Sequence, residues 1–318
     1  MNAQIARNRC GSAHPRCGFV RTFCVLFLGA LGWVGSSDFA QGADPDGDNA
    51  ANAASTLPNI YLDLRTIYSR VPSNMLSIGF GNPSSLSSAI ATLQTLSMLP
   101  NPSNLSSPAS QSVGIDVPLT IDLNDRVSVY GGFSASTSQS GTSGWSTLAI
   151  SSWNVGFQAD VYQQSGGSIP TITLQSTLTR SVPDSPLATT SLNNIVEFNY
   201  ALNIDETKGL LADVQYVAVA VDSPLAKVNP DVIGYVGAYY QWPNNWKLTG
   251  RAGVQSFGGA QLLNLTPFQP FTQPIVRFDL DRYDDNDNRL FGVAAEIAWT
   301  PKPAYQLTVR TPLYFVRN

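Results

Sequence analysis

The side chains that carry most hydrolytic and redox chemistry are confined to the start of this 318-residue chain. Its three cysteines, Cys10, Cys17 and Cys24, and its single histidine, His14, all lie within the first 24 residues. If that segment is removed on export, the mature chain contains neither residue type. This excludes thiolate catalysis, histidine-assisted hydrolysis, Cys and His zinc sites, and disulfide bonds. We therefore predict no catalytic residue and no cofactor.

The ionisable residues that remain stand on the polar faces of strand-like segments. In a dry protein core such charges would need partners, whereas the water-filled lumen of a β-barrel accommodates them. We predict that these residues line a pore: Asp116, Asp122, Arg126, Asp160, Glu197, Asp213, Lys247, Arg251, Glu296 and Arg310. One interpretation is that they select solutes, with Arg251 and Arg310 facing Glu296 across a constriction. The other is that they form structural ion pairs that stiffen the wall.

An acidic run, DLDRYDDNDNR, occupies residues 279–289 and is expected to lie in a long loop. Asp284, Asp285 and Asp287 are candidate ligands for a hard cation such as calcium, which binds oxygen atoms. The run lacks the glycine and the distal glutamate of an EF-hand loop. A solvated acidic loop is therefore the favoured alternative, and the existence of a metal site is left open.

The composition restricts the class of protein. Apolar residues make up 43% of the chain, charged residues 13%, and the formal net charge is -4. The charged fraction is about half of the roughly 25% that is typical of soluble proteins. Ser, Thr, Asn and Gln take the place of the missing charges, so helical membrane spans beyond the N-terminal segment are not expected. The acidic balance argues against nucleic acid as a partner, because no basic stripe is available to neutralise phosphates.

The N-terminal segment has the features of a secretory signal peptide. Four arginines precede an apolar run at residues 23–35, and small residues follow through Ala43. That order predicts a signal peptide at residues 1–43, and the run is short for a spanning helix. An uncleaved anchor is the alternative. Residues 44–57 are acidic and rich in small residues, and they are predicted to form a flexible lead-in.

Residues 58–112 are predicted to contain the first strand or strands and a long Ser/Pro-rich loop. Short extended pieces occur at residues 59–66 and 75–80. Between Pro83 and Pro100 the apolar residues follow helical spacing, which predicts one short amphipathic helix. Such a helix is either a plug element in a pore or part of an ordered surface loop.

From Val113 to the end of the chain, apolar and polar residues alternate along long segments. Alternation of this kind gives a strand one apolar face and one polar face. The segments reach roughly 10 residues or more, whereas strands of globular proteins cluster near 5 to 6 and a tilted bilayer-crossing strand needs about 10. We therefore assign residues 113–318 to the main β-barrel.

The connections between these segments alternate in length. Short connections are expected at residues 124–125, 164–168, 205–209, 243–245 and 300–304, and long ones at 136–146, 180–192, 222–231 and 258–288. An antiparallel barrel with tight turns on one rim and long loops on the other produces this alternation. The predicted fold class is all-β, an antiparallel transmembrane β-barrel of about 12 strands.

Aromatic residues flank two of the expected tight turns. Trp242 and Trp246 enclose one turn, and Trp299 and Tyr305 enclose the other. Rings with a polar edge collect at membrane interfaces, so we predict an aromatic girdle on the rim that carries these turns. The alternative is that aromatic residues simply favour strands.

The segments GYVGAYYQWPNNWKLTGRAGV (residues 234–254) and FGVAAEIAWTPKPAYQLTV (residues 291–309) carry a resemblance to known proteins. The chain resembles a Gram-negative outer-membrane β-barrel. A Tyr-rich strand, a short Pro/Asn turn and a strand that starts with Trp recur in it, as they do in the transporter-like barrels of the MetA-pathway-of-phenol-degradation family, which it resembles in this respect. The resemblance implies an outer-membrane location, contact with outer-membrane lipid, and passage of small, often aromatic compounds. It supplies no catalytic residues.

Two features depart from this pattern. Outer-membrane barrels usually end on an aromatic residue, whereas Phe315 is followed by three further residues. One strand near residues 75–80 and ten later ones give eleven, against the even number expected of bacterial barrels. Either residues 59–66 supply a further strand or the chain lacks a final returning one.

The sequence thus favours a passive channel or transporter for small solutes in the outer membrane. A barrel enzyme is disfavoured because no histidine survives cleavage. An exported β-sandwich for binding or adhesion is the main alternative, with shorter strands and no required alternation of loop length. The oligomeric state is not determined by the sequence.

Overall fold

The computed structural model describes residues 58–73, 109–165, 167–182, 188–224, 226–262, 270–285, 288–299 and 302–316. The predicted signal peptide, the lead-in, the extended piece at 75–80 and the helix between Pro83 and Pro100 lie outside these ranges. Every regular element in the described ranges is a β-strand, so the predicted all-β class is confirmed. No helix of sufficient length and hydropathy to cross a membrane occurs in this part of the chain.

Twelve strands form a closed antiparallel barrel. They are β1 (Asn59–Val71), β2 (Ser110–Asn124), β3 (Val127–Ser140), β4 (Ala149–Tyr162), β5 (Thr171–Ser181), β6 (Thr189–Ala201), β7 (Lys208–Val221), β9 (Asp231–Gln241), β10 (Trp246–Phe257), β12 (Phe271–Tyr283), β13 (Arg289–Trp299) and β14 (Pro303–Val316). Two short strands lie in the connections and form a separate two-stranded sheet. They are β8 (Ala226–Val228), between β7 and β9, and β11 (Ala260–Leu262), between β10 and β12.

Closure is made between the first strand and the last. β1 pairs antiparallel with β14, from Ile60 opposite Val316 to Arg70 opposite Tyr305. The described barrel therefore has no free sheet edge, and the β-sandwich alternative is wrong. The segment that begins at Asn59 does supply a strand, and β14 continues in the sheet through Val316.

β12 was not predicted from the sequence, because it lies inside the expected long loop at 258–288. Val276, Phe278 and Leu280 alternate along it with charged residues. The acidic character of the run concealed this period of two. With β1 and β12 added to the ten later strands, the count is twelve, the even number that a bacterial barrel requires.

The missing strand also changes which rim carries the last connections. One rim, here called the turn rim, carries the connections 125–126, 163–170, 202–207, 242–245 and 284–288. The other, the loop rim, carries 72–109, 141–148, 182–188, 222–230, 258–270 and 300–302. The expectation that 300–304 lies with the other tight turns is wrong, because β12 reverses the direction of the chain before it.

The outer face of the barrel is apolar. Large hydrophobic side chains on alternate strand positions point away from the interior and are exposed: Phe133, Trp153, Val214, Val236, Val254, Phe278 and Leu307. Their sequence neighbours point inward, and many of these are polar and buried. A surface of this kind suits lipid, and an interior of this kind suits water, so the alternation in the sequence specifies both faces.

Candidate functional site: the barrel lumen

The inward faces of the barrel strands enclose a cavity of about 580 Å³. Most of the residues that line it are polar. Its charged lining residues are Arg65, Asp116, Glu197, Asp213, Lys247, Arg251, Arg277, Asp279, Asp281, Arg289, Glu296 and Arg310. Six carry positive charge and six negative charge, so the lining is formally balanced.

Seven of the ten predicted pore-lining residues line this cavity. They are Asp116, Glu197, Asp213, Lys247, Arg251, Glu296 and Arg310. Asp122 and Asp160 lie beside it: Asp122 accepts a hydrogen bond from Ser128 (2.7 Å) and Asp160 one from Thr173 (2.7 Å). Both donors line the cavity. Arg126 is exposed in the turn at residues 125–126 and does not line the cavity.

Five charged lining residues were not predicted from the sequence. They are Arg65, Arg277, Asp279, Asp281 and Arg289. Arg65 lies on β1, in the segment 59–66 whose contribution of a strand was left open. Arg277 and both acids stand at inward positions of β12, which was expected to be part of a loop. The period of two along β12 is the signal for these three residues, whereas Arg289 lies beyond a register irregularity at the start of β13 and has no such signal.

Arg251, on β10, contacts three carboxylates. Its Nη2 atom donates a hydrogen bond to Glu197 (2.9 Å). Its Nε atom lies 3.5 Å from Asp213 and its Nη1 atom 3.6 Å from Asp279. These acids belong to β6, β7 and β12, so one guanidinium group on β10 links two neighbouring strands on one side of it with a strand on its other side.

Asp279, in turn, is shared by three arginines. Arg277 donates to both of its oxygen atoms, at 2.9 and 2.8 Å. Arg251 lies 3.6 Å away and Arg310 3.7 Å away. The two arginines that were expected to face Glu296 thus meet at Asp279.

Glu296 occupies a different position in the network. It stands directly opposite Arg277 on the neighbouring strand β12. The hydroxyl of Tyr235 donates to its Oε2 atom at 3.4 Å. Arg251 and Arg310 therefore approach Asp279 and not Glu296, and a constriction at this level of the lumen stays a prediction.

The charges are distributed unevenly around the wall. All six lining cations stand on five consecutive strands of the barrel, β1, β14, β13, β12 and β10. The lining residues of β3, β4 and β5 are uncharged and polar: Ser128, Tyr130, Asn154, Gln158, Thr173, Gln175 and Thr177. A solute in the cavity would meet guanidinium groups on one side and hydroxyl and amide groups on the other.

Tyr130 is the aromatic residue of this uncharged wall. Its hydroxyl accepts a hydrogen bond from Gln175 (3.0 Å) and shares another with Thr177 (2.6 Å). Its ring lies over Gly156, directly opposite on β4. A Cβ atom at Gly156 would lie 2.6 Å from the ring, so the glycine makes room for the tyrosine.

The predicted girdle residues lie on two rims. Trp242 and Trp246 flank the connection 242–245 on the turn rim, where the Tyr240 and Trp242 rings pack edge to face at 5.5 Å. Arg282 lies 5.8 Å from the Trp246 ring. Trp299 and Tyr305 are exposed at the loop rim. The expectation that all four residues lie on one rim is therefore wrong. We predict instead two aromatic bands, one at each membrane interface.

Two of the three candidate metal ligands, Asp284 and Asp285, lie in the described part of the connection between β12 and β13. Asp284 accepts hydrogen bonds from the backbone and side-chain nitrogens of Asn288, at 2.8 and 2.9 Å. Asp285 accepts one from Asn245 at 2.9 Å. Asp287 lies outside the described residues. Within the described ranges, no cluster of three His, Cys, Asp or Glu side chains could hold a metal ion.

No protein-family model matches the sequence, and no curated protein matches it significantly. The fold is similar to the crystal structure of an outer membrane channel from Pseudomonas putida F1, with 9% identity, a TM-score of 0.53, and coverage of 84% of this chain and 100% of that one. The translocator domain of the autotransporter NalP from Neisseria meningitidis matches with 11% identity and a TM-score of 0.42, covering 92% of this chain and 97% of that one. The first similarity shows that the chain has the fold of an outer-membrane β-barrel, and the predicted resemblance is confirmed at that level.

Proposed function

We propose that this protein is a passive channel for small solutes in the outer membrane of a Gram-negative bacterium. The observation that carries the proposal is a closed barrel with an apolar outer face and twelve charged side chains around one internal cavity. Burying that many charges in a dry interior would be costly, whereas a hydrated lumen keeps most of their solvation. Lipid outside and water inside are therefore the environments that the two faces fit.

The rims suggest an orientation. Bacterial outer-membrane barrels carry short turns on the periplasmic side and longer loops outside the cell. By this rule the turn rim faces the periplasm and the loop rim faces the exterior. Export by the predicted signal peptide at residues 1–43 is part of the proposal.

The lining points to polar solutes. Hydroxyl, amide, carboxylate and guanidinium groups dominate the cavity wall, and its volume of about 580 Å³ suits small molecules. The aromatic compounds implied by the sequence resemblance would fit this lining best if they carry a polar or charged group. The similar structure from Pseudomonas putida is named an outer membrane channel, which agrees with passage of solutes.

The ion-pair network supports both interpretations of the lumen charges. Arg251 connects β10 with β6, β7 and β12, which stiffens the wall. The same groups project into the solute path, where they discriminate between ions. We propose that one set of residues performs both tasks.

Two measurements test the channel. First, the purified protein should require detergent and should migrate differently on a gel before and after boiling, since a closed barrel resists unfolding. Second, insertion into planar bilayers should give discrete conductance steps, and vesicles containing the protein should swell in small solutes. A water-soluble monomer would overturn the membrane assignment. A folded, membrane-inserted barrel with neither conductance nor swelling would overturn the channel.

A further inference from the structure

Two arginines stand directly opposite each other on the inner wall. Arg65 on β1 and Arg310 on β14 are register partners, and both line the cavity. Like charges in directly opposite positions of a sheet are destabilising. Placing two of them side by side in a lumen therefore calls for a compensating negative charge.

The acids of the wall compensate these arginines incompletely. Asp116 stands opposite Arg65 on its other side, on β2. Arg310 lies 3.7 Å from Asp279, but that carboxylate already accepts two hydrogen bonds from Arg277. The guanidinium groups of Arg65, Arg277 and Arg289 all lie within electrostatic range of Arg310 and repel it. Positive charge is in local excess at Arg310, although the whole lining is balanced.

Donor groups are also left over. Within the described residues, the Nε atoms of Arg65 and Arg310 are buried and have no hydrogen-bond partner. A buried donor without a partner carries a desolvation penalty that a bound acceptor removes. Guanidinium groups present planar sets of donors that match the oxygen atoms of carboxylates and phosphates.

The strands that follow β2 around the ring from Arg65 offer neutral hydrogen-bond donors to an anion. The lining residues of β3, β4 and β5 are uncharged, and they include Asn154, Gln175 and Thr177, whose amide and hydroxyl groups donate hydrogen bonds. The strands across the ring from β1 and β14 are β7 and β6, and their acids Asp213 and Glu197 are both paired with Arg251.

We propose that Arg65 and Arg310 form a binding site in the lumen for a small oxyanion, a carboxylate or a phosphate. The site deepens the proposed channel function, on which its role in transport rests, because it names the chemical class of solute. Charge and planar hydrogen bonding, not size, select the ligand.

The test uses the full chain purified in non-ionic detergent, with trifluoroacetate as the probe and trifluoroethanol as the uncharged comparison. Fluorine NMR line broadening reports binding of each. The fluorine signal of trifluoroacetate should broaden when the protein is added, and that of trifluoroethanol should not. Broadening should be reversed by unlabelled acetate if the site takes carboxylates, and by inorganic phosphate if it takes phosphates.

Substitutions of the two arginines test whether the line broadening arises from binding at this site. Arg310→Gln and Arg65→Gln should each weaken trifluoroacetate binding by about tenfold or more, the effect of losing one charged hydrogen-bond donor. Arg310→Lys keeps the charge but loses the planar donor set, so it should restore part of the affinity. Arg126→Gln removes an arginine from the exposed turn 125–126 and serves as the matched control, with affinity unchanged. Heat-modifiable gel mobility verifies that each variant is folded.

Three results would overturn the site: equal broadening of the two probes, no displacement by acetate or phosphate, or an equal loss of affinity in Arg126→Gln. The experiments distinguish failure of the proposed channel from failure of the proposed oxyanion site. Conductance without oxyanion binding removes this inference and leaves the channel. Oxyanion binding without conductance leaves the site and removes the channel.

Discussion

Arg277 and Asp279 lie two positions apart on β12, and the arginine donates hydrogen bonds of 2.9 and 2.8 Å to the two carboxylate oxygens of the aspartate. Residues at this spacing share a face of a strand, so both side chains point into the lumen. Arg251 and Arg310 approach the same carboxylate, at 3.6 and 3.7 Å. Asp279 therefore holds three guanidinium groups together at the centre of the ion-pair network.

The substitution Asp279→Asn should destabilise the barrel. It leaves three arginines facing one another without their shared counter-charge, and breaking a buried ion pair costs about 3 kcal/mol. Urea unfolding in lipid vesicles measures the loss. Asp125→Asn, in the exposed turn 125–126, is the control and should leave the free energy of unfolding unchanged. Equal stabilities of the two variants would show that the network does not support the fold.

Substitutions at the ion pair between Arg251 and Glu197 should shift ion selectivity in opposite directions. Arg251→Gln leaves a net negative lining and should favour cations, whereas Glu197→Gln leaves a net positive lining and should favour anions. Reversal potentials across a potassium chloride gradient measure both. Reversal potentials that match the wild type in both variants would assign these charges to the stiffness of the wall alone.

The contact between Tyr130 and Gly156 should make Gly156→Ala destabilising. The added Cβ atom would lie 2.6 Å from the tyrosine ring and would clash with the backbone oxygen of Ser176. Overpacking of this kind typically costs about 1 to 3 kcal/mol. The matched control is Gly234→Ala, within β9, because nothing lies within 4 Å of a Cβ atom there. Similar unfolding free energies for the two variants would contradict the close contact.

A charge on the outer face should be far more costly than a charge at the rim. Val236 lies in the middle of β9 with 66% of its surface exposed, and Val236→Arg places a cation in lipid at a cost of about 2 to 4 kcal/mol. Ile204, 97% exposed in the connection 202–207, is the control, and Ile204→Arg should be neutral. Unfolding in vesicles compares them. Tolerance of Val236→Arg would mean that this face does not contact lipid.

The alternation of residue types predicted the barrel and the direction of most side chains. Asp213 and Glu197 could be placed in the lumen because apolar neighbours on β7 and β6 fix the opposite face. β12 was missed because residues 279–289 are so acidic that they suggested a solvated loop. One missed strand then reversed the assigned rim of the connection at residues 300–304.

The partners within the lumen could not be predicted in the same way. Arg251 reaches Glu197 on β6, which is three strands away around the barrel. The tilt and stagger of the strands determine which inward side chains meet across a cavity. Neither quantity can be derived from the residue pattern of a single strand. The sequence therefore indicates that Arg251 and Arg310 face inward, but only the closed barrel brings both to Asp279.

The pairing of β1 with β14 has a consequence for how the molecule assembles. These strands are neighbours in space but stand at opposite ends of the barrel sequence, with Ile60 opposite Val316. Contacts between such distant parts of a chain carry the largest entropic cost and form late. The barrel cannot close until β14 is available. A truncated molecule without β14 would expose the unpaired edges of β1 and β13 to other proteins. Closure of this barrel therefore depends on the fourteen-residue strand β14, which pairs with both β1 and β13.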